Sequence, residues 1–479
     1  MKVVFLQDNG INESLAMCDV SGLLKSRGHS CDVFIKRNEK KFLRAVVESR
    51  PGLIVVPMDI WGERVALSIA AEAKQALPDA PIAFCGTYPM LFPEVINDPQ
   101  VDIVIRGEAE FPILDLAERL ESGADYADIP NLTVKRGGEI IENEMRTLLQ
   151  DLTLLPLPDR AIYFKYWYMK QMSLKRFTSG RGCHNACSFC YNAKYKEFFK
   201  GKGRYLRRKP VSRIIEEIED MKRLSALSSI HFSDDIFTYD KQWVMDFCRE
   251  YSRRFSGIPF TCNTTVHDID DEMMAEMKKA GCFGIAIGVE TGNERLRMDK
   301  LNKMYLDSDI KRTAALIKKN GLYLTAFNML ALPYETIDNA FETVQLNREI
   351  KADNVRVTFL SPIPRTALVE DAVRDGLLDV NYEETGMRIM TPEIQTKTNR
   401  EFETLYALID VAVASPLLEK LVRRLISVRI PKPILFLFLL PRMYREKKFF
   451  NIKFISGLIF YLNTTLPQYR TKNFNNYLP

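Results

Sequence analysis

Cys183, Cys187 and Cys190 lie in the stretch SGRGCHNACSFCYN (179 to 192), spaced C-x3-C-x2-C with glycines ahead of them and an aromatic, Phe189, between the last two. Three thiolates on one short loop can bind one metal centre and leave a coordination position open. A structural zinc wants four protein ligands, usually as two short pairs. No second C-x2-C occurs, and His184, adjacent to Cys183, is poorly aimed at the same metal. A disulfide with a spare thiol fits an oxidising compartment. A cubane iron-sulfur cluster on three cysteines keeps one iron free for an exchangeable ligand.

The elements that must position this loop form a β/α series beginning near residue 173. Strands are predicted at LKRFTS (174 to 179), SIHFS (229 to 233), IPFTCNT (258 to 264), FGIAIGV (283 to 289), YLTAFNML (323 to 330) and VRVTFL (355 to 360). Helical stretches separate them, such as VSRIIEEIEDMKRL (211 to 224) and DEMMAEMKKAG (271 to 281). Six such units make a curved, open parallel barrel, a partial (β/α)6 fold over 173 to 380, with functional groups at the carboxyl ends of the strands.

A second α/β series precedes it. KVVFLQ (2 to 7), CDVFI (31 to 35), GLIVVPM (52 to 58), PIAFCG (81 to 86) and VDIVIRG (101 to 107) read as buried parallel strands of a doubly wound, Rossmann-like sheet over residues 1 to 125. Its carboxyl-end loops, DNGIN, MDIW, GTYP and RGEAE, are polar and small enough to cradle a large planar cofactor; they also read as ordinary βα turns. Residues 126 to 172 are expected to hold a hairpin turning at Arg136-Gly137-Gly138 and an extended proline linker, LLPLPDR.

Composition sets outer bounds. With 479 residues, more than one domain is expected, and 46% hydrophobic against 27% charged residues argues against disorder. The net charge of +5 is uneven: residues 416 to 479 carry 12 Lys/Arg against 2 Asp/Glu, so the rest of the chain is net acidic and no nucleic-acid partner is expected. The Met-Lys-Val-Val start reads without a signal peptide, and the other six of nine cysteines sit singly in apolar contexts, so a reducing cytoplasm is the expected location. No apolar run reaches the ~18 to 20 residues of a spanning helix.

With its aromatic before the last cysteine, the trio resembles the C-x3-C-x-aromatic-C loop of the radical S-adenosylmethionine (SAM) superfamily. The resemblance implies a four-iron four-sulfur (4Fe-4S) cluster whose open iron is chelated by the methionine end of SAM. Reductive cleavage of SAM would then yield a 5′-deoxyadenosyl radical able to abstract an unactivated hydrogen. HFSDDIFTYD (231 to 240) stands where many members carry Gly-Gly-Glu, which makes Ser233, Asp234 and Asp235 expected receivers of the methionine ammonium; the alternative is a helix cap ahead of KQWVMDF. GIAIGVETGNERL (284 to 296) is similar to the Gly-x-Glu-(Ser/Thr)-Gly segment and implies SAM binding by Glu290. NMLALPYET (328 to 336) is similar to the stretch after the fifth strand, with Asn328 among the SAM contacts and Ala331 in place of the usual glycine. Phe189 would lie against adenine, or else pack the loop.

The amino-terminal sheet resembles the cobalamin (B12)-binding domain found in one group of these enzymes. VDIVIRGEAEFPILDLAERLESG (101 to 123) is similar to its strand, Gly-Glu-x-Glu and helix; FCGTYPMLFPEVI (84 to 96) is similar to its Gly-Gly-x-His-x5-Pro segment, with Cys85 for the first glycine and no histidine. Cobalamin contacts are implied at Asn9, Gly10, Ile11, Asp59, Gly86, Thr87, Gly107 and Glu108. The Asp-x-His-x2-Gly motif that supplies a lower cobalt ligand elsewhere is absent, as it often is in this group.

The resemblance implies C-methylation of an inert carbon as the leading reaction, with oxidative cyclisation or rearrangement as the alternative within enzymes. A non-catalytic, metal-stabilised binding protein is the alternative from another class. Methylthiolation is disfavoured, because no second cysteine trio is present. A small-molecule or lipid substrate and an electron donor such as flavodoxin or ferredoxin are implied partners. The helical, basic carboxyl-terminal region, 381 to 479, contains PLLEKLVRRLISVRI (416 to 430), an amphipathic pattern. It either docks on the barrel or makes peripheral contact with the inner face of a membrane.

Overall fold

The computed structural model describes the chain except for residues 9, 11, 12, 61, 380–398, 432, 433, 436, 437, 439 and 451–479. The predicted sites Asn9 and Ile11, and the last part of the basic region, lie outside the described residues. The chain divides into two compact units, one of Met1–Gln171 with Phe199–Arg204 and Glu217–Ser225, the other of the remainder.

The first unit is a seven-stranded sheet in the order β2-β1-β3-β4-β5-β6-β7. Strands β1 (Lys2–Gln7), β2 (Ser30–Ile35), β3 (Leu53–Pro57), β4 (Ile82–Cys85) and β5 (Ile103–Ile105) are parallel, as their unbroken apolar runs require of strands covered on both faces. The expected hairpin forms as β6 (Leu132–Arg136) and β7 (Glu139–Glu142), joined through Gly137 and Gly138, both at positive φ. It continues the sheet antiparallel to β5, so the segment expected as a linker is part of this unit. Because β1 pairs with both β2 and β3, the strand order reverses there, and the crevice at the carboxyl ends of β1 and β3 is the natural ligand position of such a sheet.

The second unit is a half-barrel of six parallel strands in sequential order: β8 (Leu174–Phe177), then, after a short antiparallel pair of β9 (Gly180–Arg181) with β10 (Arg207–Arg208), β11 (Ser229–Phe232), β12 (Phe260–Thr264), β13 (Cys282–Glu290), β14 (Tyr323–Leu330) and β15 (Asn354–Phe359). Its outer face is sealed by rings: Phe232, Phe237, Phe247 and Phe260 pack edge to face with centroids 5.2–6.2 Å apart for most pairs, each worth ~0.5–1.5 kcal/mol beyond area burial. Inside, near the amino ends of the strands, Phe449 and Phe450 at the end of helix Leu440–Phe449 pack on His231. Gly284 makes room, since a Cβ there would lie 3.2 Å from the Phe449 ring. No helix among the described residues is long and apolar enough to cross a membrane.

Candidate functional site

The cysteine loop leaves β8 through the short β9–β10 ladder, which explains the glycines of SGRGC. A Cβ on Gly180 would meet the Arg207 carbonyl at 2.5 Å, and one on Gly182 the Tyr205 carbonyl at 2.5 Å, with Gly182 at φ +94. Only bare backbone lets the strands approach this closely.

Residues 300 to 305 then grip the loop. Ser188 N donates to Leu301 O at 3.0 Å and its hydroxyl to Lys300 O; Asn302 Nδ2 donates to Ala186 O at 2.7 Å; Asn185 Nδ2 donates to the Tyr305 hydroxyl at 3.2 Å. Phe189 packs against the buried cluster of Leu296, Leu301, Met329, Leu332, Leu360 and Leu368, which anchors the loop from the apolar side. His184 points away from the thiols, its Nε2 3.4 Å from Asp268.

All three cysteines are free thiols. Burial pushes each of them up, Cys190 to about 11, with the Lys303 ammonium counteracting at Cys187. Among the described residues no three His, Cys, Asp or Glu side chains converge tightly enough for one metal ion. The donor chemistry that fits is a cluster in which each thiolate takes a different iron.

Of the residues expected after β11, Asp234 is turned into the fold. Its carboxylate accepts from Ser179 N at 2.9 and 3.0 Å and from the Ser179 hydroxyl at 2.6 Å, tying the end of β8 to the end of β11. Asp235 is accessible to solvent but crowded by surrounding protein, which raises its carboxyl, and it bonds Asn192 at the cysteine loop. The helix-cap alternative fails: Asp240 caps Lys241–Arg254, accepting from Trp243 N at 3.1 Å. Ser233 Oγ is buried with no hydrogen-bond partner.

The ladder pairs His231 with Thr261 and Phe232 with Cys262, so its next step sets Ser233 beside Asn263, whose Oδ1 is likewise buried and unpartnered. Asn263 was missed from the sequence; a polar residue at the carboxyl end of a barrel strand was the available signal. Two orphaned polar atoms on adjacent strand ends are what a polar ligand would satisfy.

Glu290 ends β13 at φ +67. Its Oε1 accepts from Lys303 Nζ at 2.6 Å, and both atoms lie against the Cα of Gly288, where a Cβ would collide with them. Asn328 is a correction: it faces the outer helices, where it donates to Ala326 O at 2.9 Å and accepts from Asn347 Nδ2 at 2.8 Å. Both its polar ends are engaged away from the inner face.

In the first unit Gly10, Asp59, Gly86, Thr87, Gly107 and Glu108 all follow the carboxyl ends of β1, β3, β4 and β5. Gly86 is held at φ +114 with room for no Cβ, which would stand 2.6 Å from Met58 O. Gly10 is overlaid by Met169 and Tyr168, the Tyr168 hydroxyl donating to Gly10 O at 2.7 Å. Glu108 accepts from Leu149 N at 2.8 Å. His29, the unit's single histidine, lies at the opposite, amino end of the strands beside Met1 and Glu121. Gly10 is thus covered by the chain itself, and the remaining loop residues, Asp59, Gly86, Thr87, Gly107 and Glu108, include no histidine, so a cobalamin held there would have none on its cobalt.

Residues 177–346 match the Radical SAM superfamily. The barrel unit carries a radical SAM domain, the kind that takes a 4Fe-4S cluster and SAM, and the chain is similar to enzymes named as cobalamin-dependent radical SAM enzymes. An uncharacterized methyltransferase of Pyrococcus horikoshii is 25% identical over 316 residues, 65% of this chain and 67% of the relative. The anaerobic magnesium-protoporphyrin IX monomethyl ester cyclase of Rubrivivax gelatinosus is 25% identical over 373 residues, 74% of this chain and 65% of the relative. The chain thus spans about two thirds of the length of these curated relatives. Among solved structures, the cobalamin-dependent SAM radical enzyme OxsB with aqua-cobalamin and SAM bound shares the fold at TM-score 0.69 and 15% identity, over 98% of this chain and 75% of that one.

Proposed function

We propose that this protein is a cobalamin-dependent radical SAM enzyme that functionalises an unactivated carbon, and that C-methylation is its reaction. The observation that carries the reading is the conjunction of a clamped three-thiol loop with orphaned Ser233 Oγ and Asn263 Oδ1 on the adjoining strand ends. When bound, the cluster supplies the electron that cleaves SAM, and cobalamin supplies a transferable methyl group.

The chain's own residues supply position. Cys183, Cys187 and Cys190 would each ligate one iron. Asp235, the accessible carboxylate beside the loop, would receive the methionine ammonium; Ser233 and Asn263 would hydrogen-bond the remaining polar groups of SAM. Glu290, oriented by Lys303, would take a ribose or amino group. Asp234 acts through Ser179 as a positioning residue. In the first unit Asp59, Gly86, Thr87, Gly107 and Glu108 would surround cobalamin. An electron donor such as flavodoxin or ferredoxin, and a cytoplasmic location where a small-molecule or lipid substrate is met, complete the reading.

The relationship to a cyclase favours a second reading, oxidative cyclisation without methyl transfer. Product analysis separates the two. After anaerobic reconstitution with cluster and cobalamin, comparable yields of S-adenosylhomocysteine and 5′-deoxyadenosine support methylation, and 5′-deoxyadenosine alone supports cyclisation. Absence of reductive SAM cleavage rejects both.

A further inference from the structure

Helix Pro416–Leu425 docks on the barrel by an unexpected side. The buried positions are Glu419 and Val422, with Ile426 following the helix, while Leu417 is 77% exposed, Leu421 48% and Leu418 36%. Val422 and Ile426 join the barrel's core with Leu425 packed against it, and polar side chains add to the docking: Glu419 accepts from Arg348 at 2.8 Å, Gln345 at 3.1 Å and Arg423 at 3.0 Å, and the Arg423 guanidinium stacks 3.8 Å over Phe341. Leu417, Leu418 and Leu421, of a type that in an ordinary surface helix faces the core, face solvent here, while Leu425 packs inward.

Past the helix Val428, Ile434 and Phe438 are also exposed, at 53%, 47% and 38%. Interleaved with these are Lys420, Arg424 and Arg429, all exposed, and no described residue forms an ion pair with them. Between 416 and 449 the chain has two acidic residues, and both point inward, Glu419 as above and Glu446 to Asn354 Nδ2 at 3.1 Å. The exposed part of the helix itself carries leucines and cations, with Asp338, paired with Arg423, and Glu349 as acids of the neighbouring helix.

We propose that this face is an interfacial docking surface for an anionic phospholipid bilayer. The combination is what a headgroup boundary rewards: apolar side chains at acyl depth and cations at the level of lipid phosphates. A second copy of the chain is a poorer occupant, because a two-fold interface would set the cations Lys420 and Arg424 close to their own kind. The inference is independent of the chemistry at the cluster.

The test is flotation of the full-length, anaerobically prepared protein with vesicles of phosphatidylcholine alone or mixed with phosphatidylglycerol. Binding is expected only to the mixed vesicles, weakened by salt, and lowered about fivefold by Lys420→Gln or Arg424→Gln, each of which removes one surface cation. Leu417→Gln with Leu421→Gln should abolish it while helical content and iron loading stay unchanged. No binding, binding to both vesicles that ignores salt, or binding that survives these substitutions would overturn the proposal. So would concentration-dependent self-association that is lost in the leucine variant while the vesicles remain bare.

Discussion

Lys303 Nζ stands 2.6 Å from Glu290 Oε1, and the pair rests on the unsubstituted Cα of Gly288. The two side chains are 10% and 12% exposed. Burial opposes the lysine's charge, but the Glu290 carboxylate outweighs it and holds the ammonium above its ordinary range. Removing the lysine leaves a secluded carboxylate alone, so Lys303→Met should destabilise the apo protein by ~3–5 kcal/mol in urea unfolding. Adding Glu290→Gln should recover most of that loss. If the single and double variants unfold alike, the pair is not what orients Glu290.

Asp234 and Asp235 are neighbours with opposite duties. Asp234→Ala strips Ser179 of its acceptor and should cost ~1.5–3 kcal/mol of stability in the apo protein. Asp235→Asn, at an accessible position, should stay within ~0.5 kcal/mol of the parent and instead weaken SAM binding in equilibrium dialysis. The reverse pattern would exchange the two assignments.

The three cysteines should behave as a set, and His184 should stand outside it. Reconstitution is expected to load about four irons per chain in the parent. Substitution of Cys183, Cys187 or Cys190 by alanine should lower iron and sulfide content sharply. His184→Ala should keep both, because that ring faces Asp268. Iron analysis reads all four variants.

Glu335 offers a pH test. Burial lifts its carboxyl to about 8, the Leu332 N–H at 3.1 Å opposing that rise only in part. Between the unfolded value of 4.5 and this folded value, the native chain holds a proton that the unfolded chain has released. Stability from this group is therefore complete below the unfolded value and declines as pH rises through the window, by up to ~1.4 kcal/mol per unit. Urea midpoints of Glu335→Gln measured across that range should lack this component of the slope.

The eleven parallel strands were legible because each is a short apolar run bounded by turn residues, and the hairpin because Gly137 and Gly138 admit positive φ. Which face a side chain takes was less so. Strands buried on both sides show no alternation to read, so the inward parity of Asn263 and the outward parity of Asn328 left no local mark. Lys303 lies on a loop 13 residues beyond its partner, a separation that only folding closes.

By itself the amino-acid sequence determined that three thiols lie together: their types and spacing are covalent facts, and a short loop carries them together wherever it goes. It also determined that two β/α units are present, since apolar periodicity and glycine placement act over a few residues. The tertiary structure alone decided that Asp234 braces the loop while Asp235 stays accessible, that Glu290 is paired, and that both acids of the described basic region turn inward from its leucines. Those outcomes depend on which residues far apart along the chain become neighbours, and hydrogen bonds and ion pairs act over a few ångströms of space whatever the distance along the sequence.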